Sequence, residues 1–240
     1  MKRIFIIFAL MLCIANLSAQ QSTESATQQV SNPIKQWTSS FTSIDVDAPI
    51  KLKLIPIAAD EAPYIIYDTK GMETTKFSAE VDKGHVLKIR ERYDPKRTSM
   101  TEVTVYFNSL DDIKISRADT YVEGTIKCKL IDIEISNDAT LIAKLDVMDL
   151  KITISGNCCV EISGDALYQT AEVASGKYNA ASLSTMSTSI AADHNAEVRV
   201  DAEQRLIAKS TTGGKIFYKS MPEILRTEKT LFGVDVAQLK

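Results

Sequence analysis

The sequence contains few of the residue types on which catalytic and metal sites are usually built. Its 240 residues include 4 cysteines, 2 histidines and 1 tryptophan. The histidines, His85 and His194, have no neighbours at metal-ligand spacing. Gly-x-Ser-x-Gly, His-Glu-x-x-His and phosphate-cradling motifs are all missing. We therefore predict no catalytic residues, no metal site and no cofactor, and a protein that is not an enzyme.

Excess positive charge and long internal apolar runs are also missing. Lys and Arg number 28 against 31 Asp and Glu, which gives a formal net charge of −3. This balance argues against nucleic acid or an anionic membrane surface as a partner. After residue 17 no apolar run is long enough for a helix that spans a membrane. We therefore expect a partner that is a protein or a glycan.

The first residues have the pattern of an export signal. Lys2 and Arg3 precede an almost wholly apolar stretch over residues 4–17, and Ser18-Ala19 offers a small-residue cleavage site before Gln20. This order is typical of a secretory signal peptide, which we assign to residues 1–19. Cys13 follows Leu12 rather than a small residue, which argues against a lipoprotein site. We expect an extracytoplasmic protein located in the periplasm, on the outer-membrane surface or in the medium.

The remaining chain divides by composition into a lead and one domain. Residues 20–37 are rich in Gln, Ser and Thr and have little to bury, so they predict a flexible lead. Residues 38–240 are enough for a single β domain. Within it we expect N-terminal strands over 38–110, a repeat region over 111–218 and a C-terminal cap over 219–240.

The repeat region is the strongest signal in the sequence. An Ile-x-Ile-Ser pattern recurs with a period near 20 residues, and each copy is followed by small polar residues that suit a sharp corner. Such a period is typical of stacked β coils that bury their apolar side against their neighbours. Antiparallel hairpins would also give regular turns but would not require this recurrence in register. The copies begin at Ile115, Ile135, Ile154, Val173, Ile190 and Ala208.

The repeats predict an all-β fold, a parallel β-helix of about six coils of 17–20 residues. In such a stack Ile154 contacts Ile135 on one side and Val173 on the other, while Thr153 faces outward. The N-terminal strands alternate apolar and polar residues from Phe41 onward, which is typical of an antiparallel sheet. This sheet is expected to cover one end of the coils, because exposed coil edges need caps.

The three cysteines after the leader leave several alternatives open. Cys158 and Cys159 are adjacent, so on a strand their side chains point to opposite faces. One interpretation is a buried thiol beside a corner residue. A disulfide from Cys128 to one of the pair is allowed in an oxidising compartment. Metal binding is the third alternative, although the usual ligand spacing is missing.

The order of these features resembles a known family. It combines the signal peptide, a Phe41-x-x-Ile44-x-Val46-x-Ala48-Pro49 strand pair, rungs with Ser155-Gly156 and Ser175-Gly176, and a final Gly213-Gly214-x-Ile216. The chain is similar to the putative auto-transporter adhesin, head GIN domain family of secreted bacterial proteins, Bacteroidetes among them. The resemblance implies a right-handed parallel β-helix, and it supplies no catalytic residues. Arg117 and Asn137 stand in place of the Gly that Gly156 and Gly176 provide in the following rungs.

These observations favour a non-enzymatic binding or adhesion module of the cell envelope with an unknown ligand. One alternative is a polysaccharide-active enzyme on the same scaffold, with Asp119, Asp138 and Asp193 along one edge and a Lys or Arg nearby. Another is a structural envelope scaffold, for which an oligomer is allowed. The aromatic side chains that could stack on sugars are Trp37, Tyr121, Tyr168 and Tyr178.

Overall fold

The structure is a computed structural model. It describes residues 32–71, 76–92, 95, 99–230, 232 and 236–239. The predicted signal peptide and most of the predicted lead lie outside these residues. Within the described residues, no helix is long and apolar enough to span a membrane.

The described part of the chain forms strands and no α-helix. All eighteen strands belong to one continuous sheet that winds around a single core. Three of the strands are unusually long because they bend round corners without losing their pairing partners. The strands are β1 Ile34–Trp37, β2 Ser43–Asp47, β3 Ile50–Pro56, β4 Tyr64–Asp68, β5 Phe77–Val81, β6 Val86–Glu91, β7 Thr101–Phe107, β8 Asp112–Ser116, β9 Asp119–Val122, β10 Ile126–Ser136, β11 Thr140–Ser155, β12 Cys159–Ala174, β13 Lys177–Asp193, β14 Glu197–Val200, β15 Arg205–Ser210, β16 Lys215–Tyr218, β17 Ile224–Lys229 and β18 Ala237–Gln238.

The predicted parallel β-helix is confirmed. From β8 onward every pairing is parallel, and each coil lies on the next in a β-solenoid of about six turns. Period-2 alternation sends every second side chain inward, where equivalent residues of successive coils form columns. One column is entirely apolar and buried; across the coils from β6 to β15 it contains Leu87, Ile44, Ile113, Ile133, Ile152, Ala171, Ile190 and Ala208.

The register of the last two predicted copies is wrong by two residues. Val173 lies opposite Ala192, whereas Ile190 lies opposite Ala171. The repeat therefore continues from Val173 to Ala192, not to Ile190, and Ala192 is followed by Ser210 rather than Ala208. A shift of two keeps each side chain on the same face, so the predicted burial of Ile190 and Ala208 still holds.

The corners between the first and second strand of each coil adopt positive φ, as the small polar clusters predicted. Arg117 has φ 65°, Asn137 56° and Gly156 84°. The strained conformation of Arg117 is held by its guanidinium, whose Nε donates to Asp47 Oδ1 at 2.8 Å. Arg117 and Asn137 therefore make the same corner that Gly makes elsewhere.

Gly164 is required by a second kind of bend inside β12. It has φ 105°, and a Cβ there would lie 2.0 Å from the carbonyl oxygen of Leu145 on the adjacent coil. Only glycine allows the two backbones to approach this closely. The chain therefore bends at Gly164 within a continuous strand.

The N-terminal region contains the expected antiparallel strands and also extends the stack. β4 pairs antiparallel with β1 and β7, and β5 pairs antiparallel with β6. The β2–β3 coil lies between β6–β7 and β8–β9 and pairs parallel with both. The sheet begins at Ile34 rather than at residue 38, so the last four residues assigned to the lead form β1. At the other end, β17 and β18 pair parallel with β15 and β16.

A buried polar network interrupts the apolar core near the middle of the stack. Gln169 Nε2 donates to Tyr178 Oη, and Thr188 Oγ1 donates to Gln169 Oε1 at 3.2 Å. The hydroxyl oxygens of Thr188 and Thr185 lie 2.6 Å apart, and the Thr185 hydroxyl donates a hydrogen bond to the Asp201 carbonyl at 2.7 Å. Burial raises the pKa of Tyr178 well above its usual value. These polar groups satisfy one another, which is what burial in a core requires.

Candidate functional site

The carboxylates considered for catalysis lie along one corner but do not form a cluster. Asp119 and Asp138 belong to adjacent coils, whereas the corner of Asp193 is three coils beyond that of Asp138, or roughly 14 Å at the usual strand spacing. Asp119 accepts a hydrogen bond from Thr140 Oγ1 at 3.0 Å, and Asp193 accepts one from the His194 amide at 2.8 Å. Within the described residues, no group of three or more His, Cys, Asp or Glu side chains is placed to hold a metal ion.

The histidines and cysteines lie apart from one another. His85 and His194 are exposed and both adopt positive φ in turns. Cys158 is buried and Cys159 is exposed, which is the arrangement that their adjacency on a strand predicts. Cys128 is partly buried, and all three thiols are free, so the Cys128 disulfide is not formed.

A charged groove of about 700 Å³ runs along the first strands of the coils. Its lining includes Asp111, Asp132, Asp149, Lys129 and Lys151. A polysaccharide-active enzyme on this scaffold needs a groove with two or more carboxylates and a Lys or Arg, and this groove contains them. Lys151 Nζ, however, lies 2.7 Å from Asp132 Oδ2, and this hydrogen bond raises the pKa of the lysine. Lys151 is therefore held in its protonated form and is a poor candidate for a general base.

The same pairing of opposite charges repeats along the solenoid. Ion pairs join adjacent coils at Lys114–Glu134 (3.6 Å) and Lys127–Asp146 (3.2 Å). Asp112, beside the groove, has its pKa raised by burial. The charged columns are thus largely self-neutralising, and exposed pairs of this kind contribute little individually to stability. We interpret this face as a solvated ladder of ion pairs.

A different surface occurs where the N-terminal antiparallel strands meet the stack. Trp37, Tyr64 and Tyr106 lie side by side on β1, β4 and β7 and point outward; we call these three residues the aromatic row. The ring centroids of Trp37 and Tyr64 are 5.1 Å apart with the planes at 61°, and those of Tyr64 and Tyr106 are 4.2 Å apart at 17°. Trp37 is 62% exposed, and the two tyrosines are half-buried. Burial and the neighbouring Tyr106 raise the pKa of Tyr64.

Lys35 extends the aromatic row from the same strand. Its Nζ lies 4.0 Å from the centroid of the Trp37 ring and 3.7 Å from that of Tyr64. Both distances are within the range of a cation–π interaction, which orients the ammonium and the rings together. The row therefore presents an exposed indole beside a fixed hydrogen-bond donor.

A shallow recess of about 450 Å³ adjoins the aromatic row on the same face of the sheet. Its lining comes from β3, β7, β9 and β11 and mixes apolar with hydrogen-bonding groups. Tyr121 is 51% exposed, and Ile142 beside it is 49% exposed. Its polar lining includes Lys51, Lys53, Glu102, Thr104, Asp119 and Tyr121.

The sequence identified only part of this surface. Trp37 and Tyr121 were both named as stacking candidates, and both lie here. Tyr168 is exposed but lies opposite Asp149, a residue of the charged groove, and Tyr178 is buried in the core. Tyr64 and Tyr106 were missed, although outward alternation after Val103 and Val105 could have placed Tyr106 on the wet face. Their contact depends on the antiparallel pairing of β4 with β7, which local pattern does not show.

The fold and these surfaces define the class: a parallel β-solenoid whose N-terminal end is covered by antiparallel strands that carry an exposed aromatic row. The sequence also identifies the family. The chain belongs to the family described as putative auto-transporter adhesin, head GIN domain, which matches residues 40–222.

Solved structures from Bacteroidales share the fold at low sequence identity. A putative adhesin from Bacteroides fragilis is 16% identical with a TM-score of 0.78, over 87% of this chain and 96% of that one. A putative lipid binding protein from Parabacteroides distasonis is 18% identical with a TM-score of 0.69, over 88% and 97%. A putative adhesin from Parabacteroides merdae is 15% identical with a TM-score of 0.66, over 88% and 96%. No curated protein matches the chain.

Proposed function

We propose that the chain is a non-enzymatic, extracytoplasmic binding module of the adhesion type, and that the aromatic row is its contact surface. The family description and the signal-like residues 1–19 support this class and location. The observation that carries the proposal is the 62% exposure of Trp37, the single tryptophan, on a sheet with a large core available. Exposed aromatic clusters of this kind are typical of binding surfaces.

The aromatic row stands on a rigid base. Behind it, Gln36 Nε2 donates to the Ala79 carbonyl at 2.9 Å, and the Thr38 amide donates to the Pro63 carbonyl at 3.1 Å. These bonds fix β1 on both sides of Trp37. A surface that is already ordered loses little conformational entropy when it binds, which favours affinity.

The enzymatic alternative has one observation in its favour, the charged groove. The Asp132–Lys151 pair weakens it, because a protonated lysine cannot remove a proton. The Asp119, Asp138 and Asp193 set does not line that groove. The alternative predicts that Asp132→Asn abolishes a measurable release of reducing ends from a polysaccharide.

The scaffold alternative also has an observation in its favour. Leu130, Met148 and Leu167 are exposed on three successive coils, and Leu130 borders the charged groove. Exposed apolar side chains in adjacent coils are suited to self-association. This alternative predicts a stable oligomer by light scattering that Met148→Ser and Leu167→Ser together dissociate.

The test compares binding with catalysis in one preparation. The chain from residue 20 onward is mixed with purified bacterial envelopes, and we measure both co-sedimentation and the release of reducing ends. We expect saturable co-sedimentation, no release, and at least a tenfold weaker interaction for Trp37→Ala. Tyr168→Ala is the matched control, since it removes a similarly exposed tyrosine from another face.

Two outcomes contradict the proposal. Release of reducing ends that Asp132→Asn abolishes would establish the enzymatic alternative. Co-sedimentation that Trp37→Ala leaves unchanged would remove the aromatic row as the contact surface. Both variants change exposed or half-exposed side chains, and their melting curves verify that they fold.

A further inference from the structure

We infer that the ligand of the aromatic row and the adjoining recess is an uncharged glycan, with the Trp37 indole stacked against a sugar ring. This inference rests on the proposed function and names the ligand class of the same surface. It uses three properties of the surface: its rings, its hydrogen-bonding rim and its charge.

The rings supply the apolar part of the recognition. One face of a pyranose presents C–H groups, whose slight positive charge is attracted to the negative π face of an aromatic ring. Trp37 offers the largest such face and is 62% exposed. Tyr64 and Tyr106 stack on each other at 4.2 Å beside Trp37 and continue the row with ring edges and hydroxyls, and Tyr121 lies exposed in the recess beyond. The surface is therefore extended in one direction, as a chain of sugars requires.

Lys35 and the polar side chains of the recess, which form the rim of the surface, supply both hydrogen-bond donors and acceptors. Sugar hydroxyls both donate and accept, so they need both kinds of partner nearby. Lys35 is held as a donor beside Trp37, and Lys51 lies in the recess as another. Thr104 can donate or accept, and Asp119 accepts with lone pairs that remain after its bond from Thr140. A purely apolar ligand would leave these groups without partners.

The charges around the row point to an uncharged ligand. Lys53 pairs with Glu123, and the hydrogen bond raises the pKa of Lys53. The lining of the recess holds Lys51 and Lys53 against Glu102 and Asp119, so its formal charges balance. Nucleic acids and anionic lipid surfaces require an excess of Lys and Arg instead. An uncharged polyhydroxylated chain is the complementary partner.

The single tryptophan makes the test direct, because all indole emission comes from Trp37. The chain from residue 20 onward is titrated with xylan, mannan, soluble starch and chitin oligosaccharides, and with the acidic polymers polygalacturonate and hyaluronate. We expect at least one uncharged glycan to shift or quench the emission saturably, and neither acidic polymer to do so. By calorimetry with that glycan, Trp37→Ala and Tyr106→Ala should each weaken binding at least tenfold, and Tyr168→Ala should leave it unchanged.

The outcomes separate this inference from the proposed function. If no uncharged glycan changes the Trp37 emission while Trp37→Ala still abolishes co-sedimentation with envelopes, the ligand is a protein or another class and the inference fails alone. Binding of only the acidic polymers overturns it too, as does glycan binding that Trp37→Ala leaves unchanged. If envelope binding is independent of Trp37, the proposed function itself fails.

Discussion

Ile135 and Ile154 lie directly opposite each other on adjacent coils, and both are completely buried. Val173 occupies the same position on the next coil, so Ile154 is enclosed on both sides by β-branched residues. This is the contact that the 19-residue spacing of the Ile-x-Ile-Ser pattern predicts. The column is close-packed along the solenoid axis, and its members therefore report directly on the stack.

Replacing Ile154 tests that packing. We expect Ile154→Ala to lower the free energy of unfolding by about 2–5 kcal/mol, since it removes buried methylene groups and leaves a cavity between two coils. Thr153→Ala, one residue away on the outward face, should change it by less than about 0.5 kcal/mol. Urea denaturation of both variants checks this. Equal effects at the two positions would contradict the assigned faces.

Thr120 provides the opposite case, because it places a polar side chain at a buried position of an apolar column. It lies between Leu52 and Leu141 in an apolar column, and among the described residues its Oγ1 is a buried oxygen that has no hydrogen-bond partner. Thr120→Val keeps the shape and removes the unsatisfied hydroxyl, so we expect a gain of about 1 kcal/mol in the free energy of unfolding. Thr153→Val on the outward face should give no gain. Destabilisation by Thr120→Val would show that the hydroxyl has a partner.

Tyr178→Phe tests the buried polar network. Removal of the hydroxyl leaves the Gln169 side-chain N–H without its acceptor, and we expect a loss of about 1–3 kcal/mol. Tyr121→Phe is the exposed control and should have little effect. In the double variant Gln169→Leu with Tyr178→Phe, part of the loss should be recovered, because the unpaired amide is removed and Thr188 keeps the hydroxyl of Thr185 as a partner at 2.6 Å. Strictly additive losses would show that the two side chains do not interact.

The thiols should differ sharply in reactivity. The thiolate is the reactive form, and burial together with the Asp111 carboxylate raises the pKa of Cys128 to about 11. Cys158 is buried and donates to the Ser155 carbonyl at 3.2 Å, and burial raises its pKa as well. Cys159 is exposed, so for the chain from residue 20 onward we expect one rapidly labelled thiol in the folded state and three after denaturation. Cys159→Ser should abolish the rapid phase; a rapid phase that persists would place another thiol at the surface.

The stack itself could be predicted because its contacts are nearly local in sequence. From β8 onward each coil meets a neighbour 18 to 21 residues away, so the pattern of inward residues repeats along the chain and can be read directly. The error of two residues at Ile190 arose where the pattern becomes weak. Ala171 and Ala192 replace the isoleucine or valine of other coils, and alanine marks an inward position poorly.

The N-terminal arrangement could not be predicted in the same way. The β2–β3 coil lies between two coils that follow it in sequence, and no repeat marks that order. The aromatic row depends on it too, because Trp37, Tyr64 and Tyr106 are far apart in sequence and meet only through β4. Alternation could have placed Tyr106 on the outward face, but the neighbours of all three side chains are set by strand pairing over long range.

The most direct test of the central claim is acrylamide quenching of Trp37 in the free chain and in the chain bound to purified envelopes. The free indole is exposed and should be quenched efficiently. Binding through the aromatic row should reduce the quenching constant several-fold, for the wild type and for Tyr168→Ala alike. An unchanged quenching constant in fully bound chain would show that Trp37 stays in water and that another surface makes the contact.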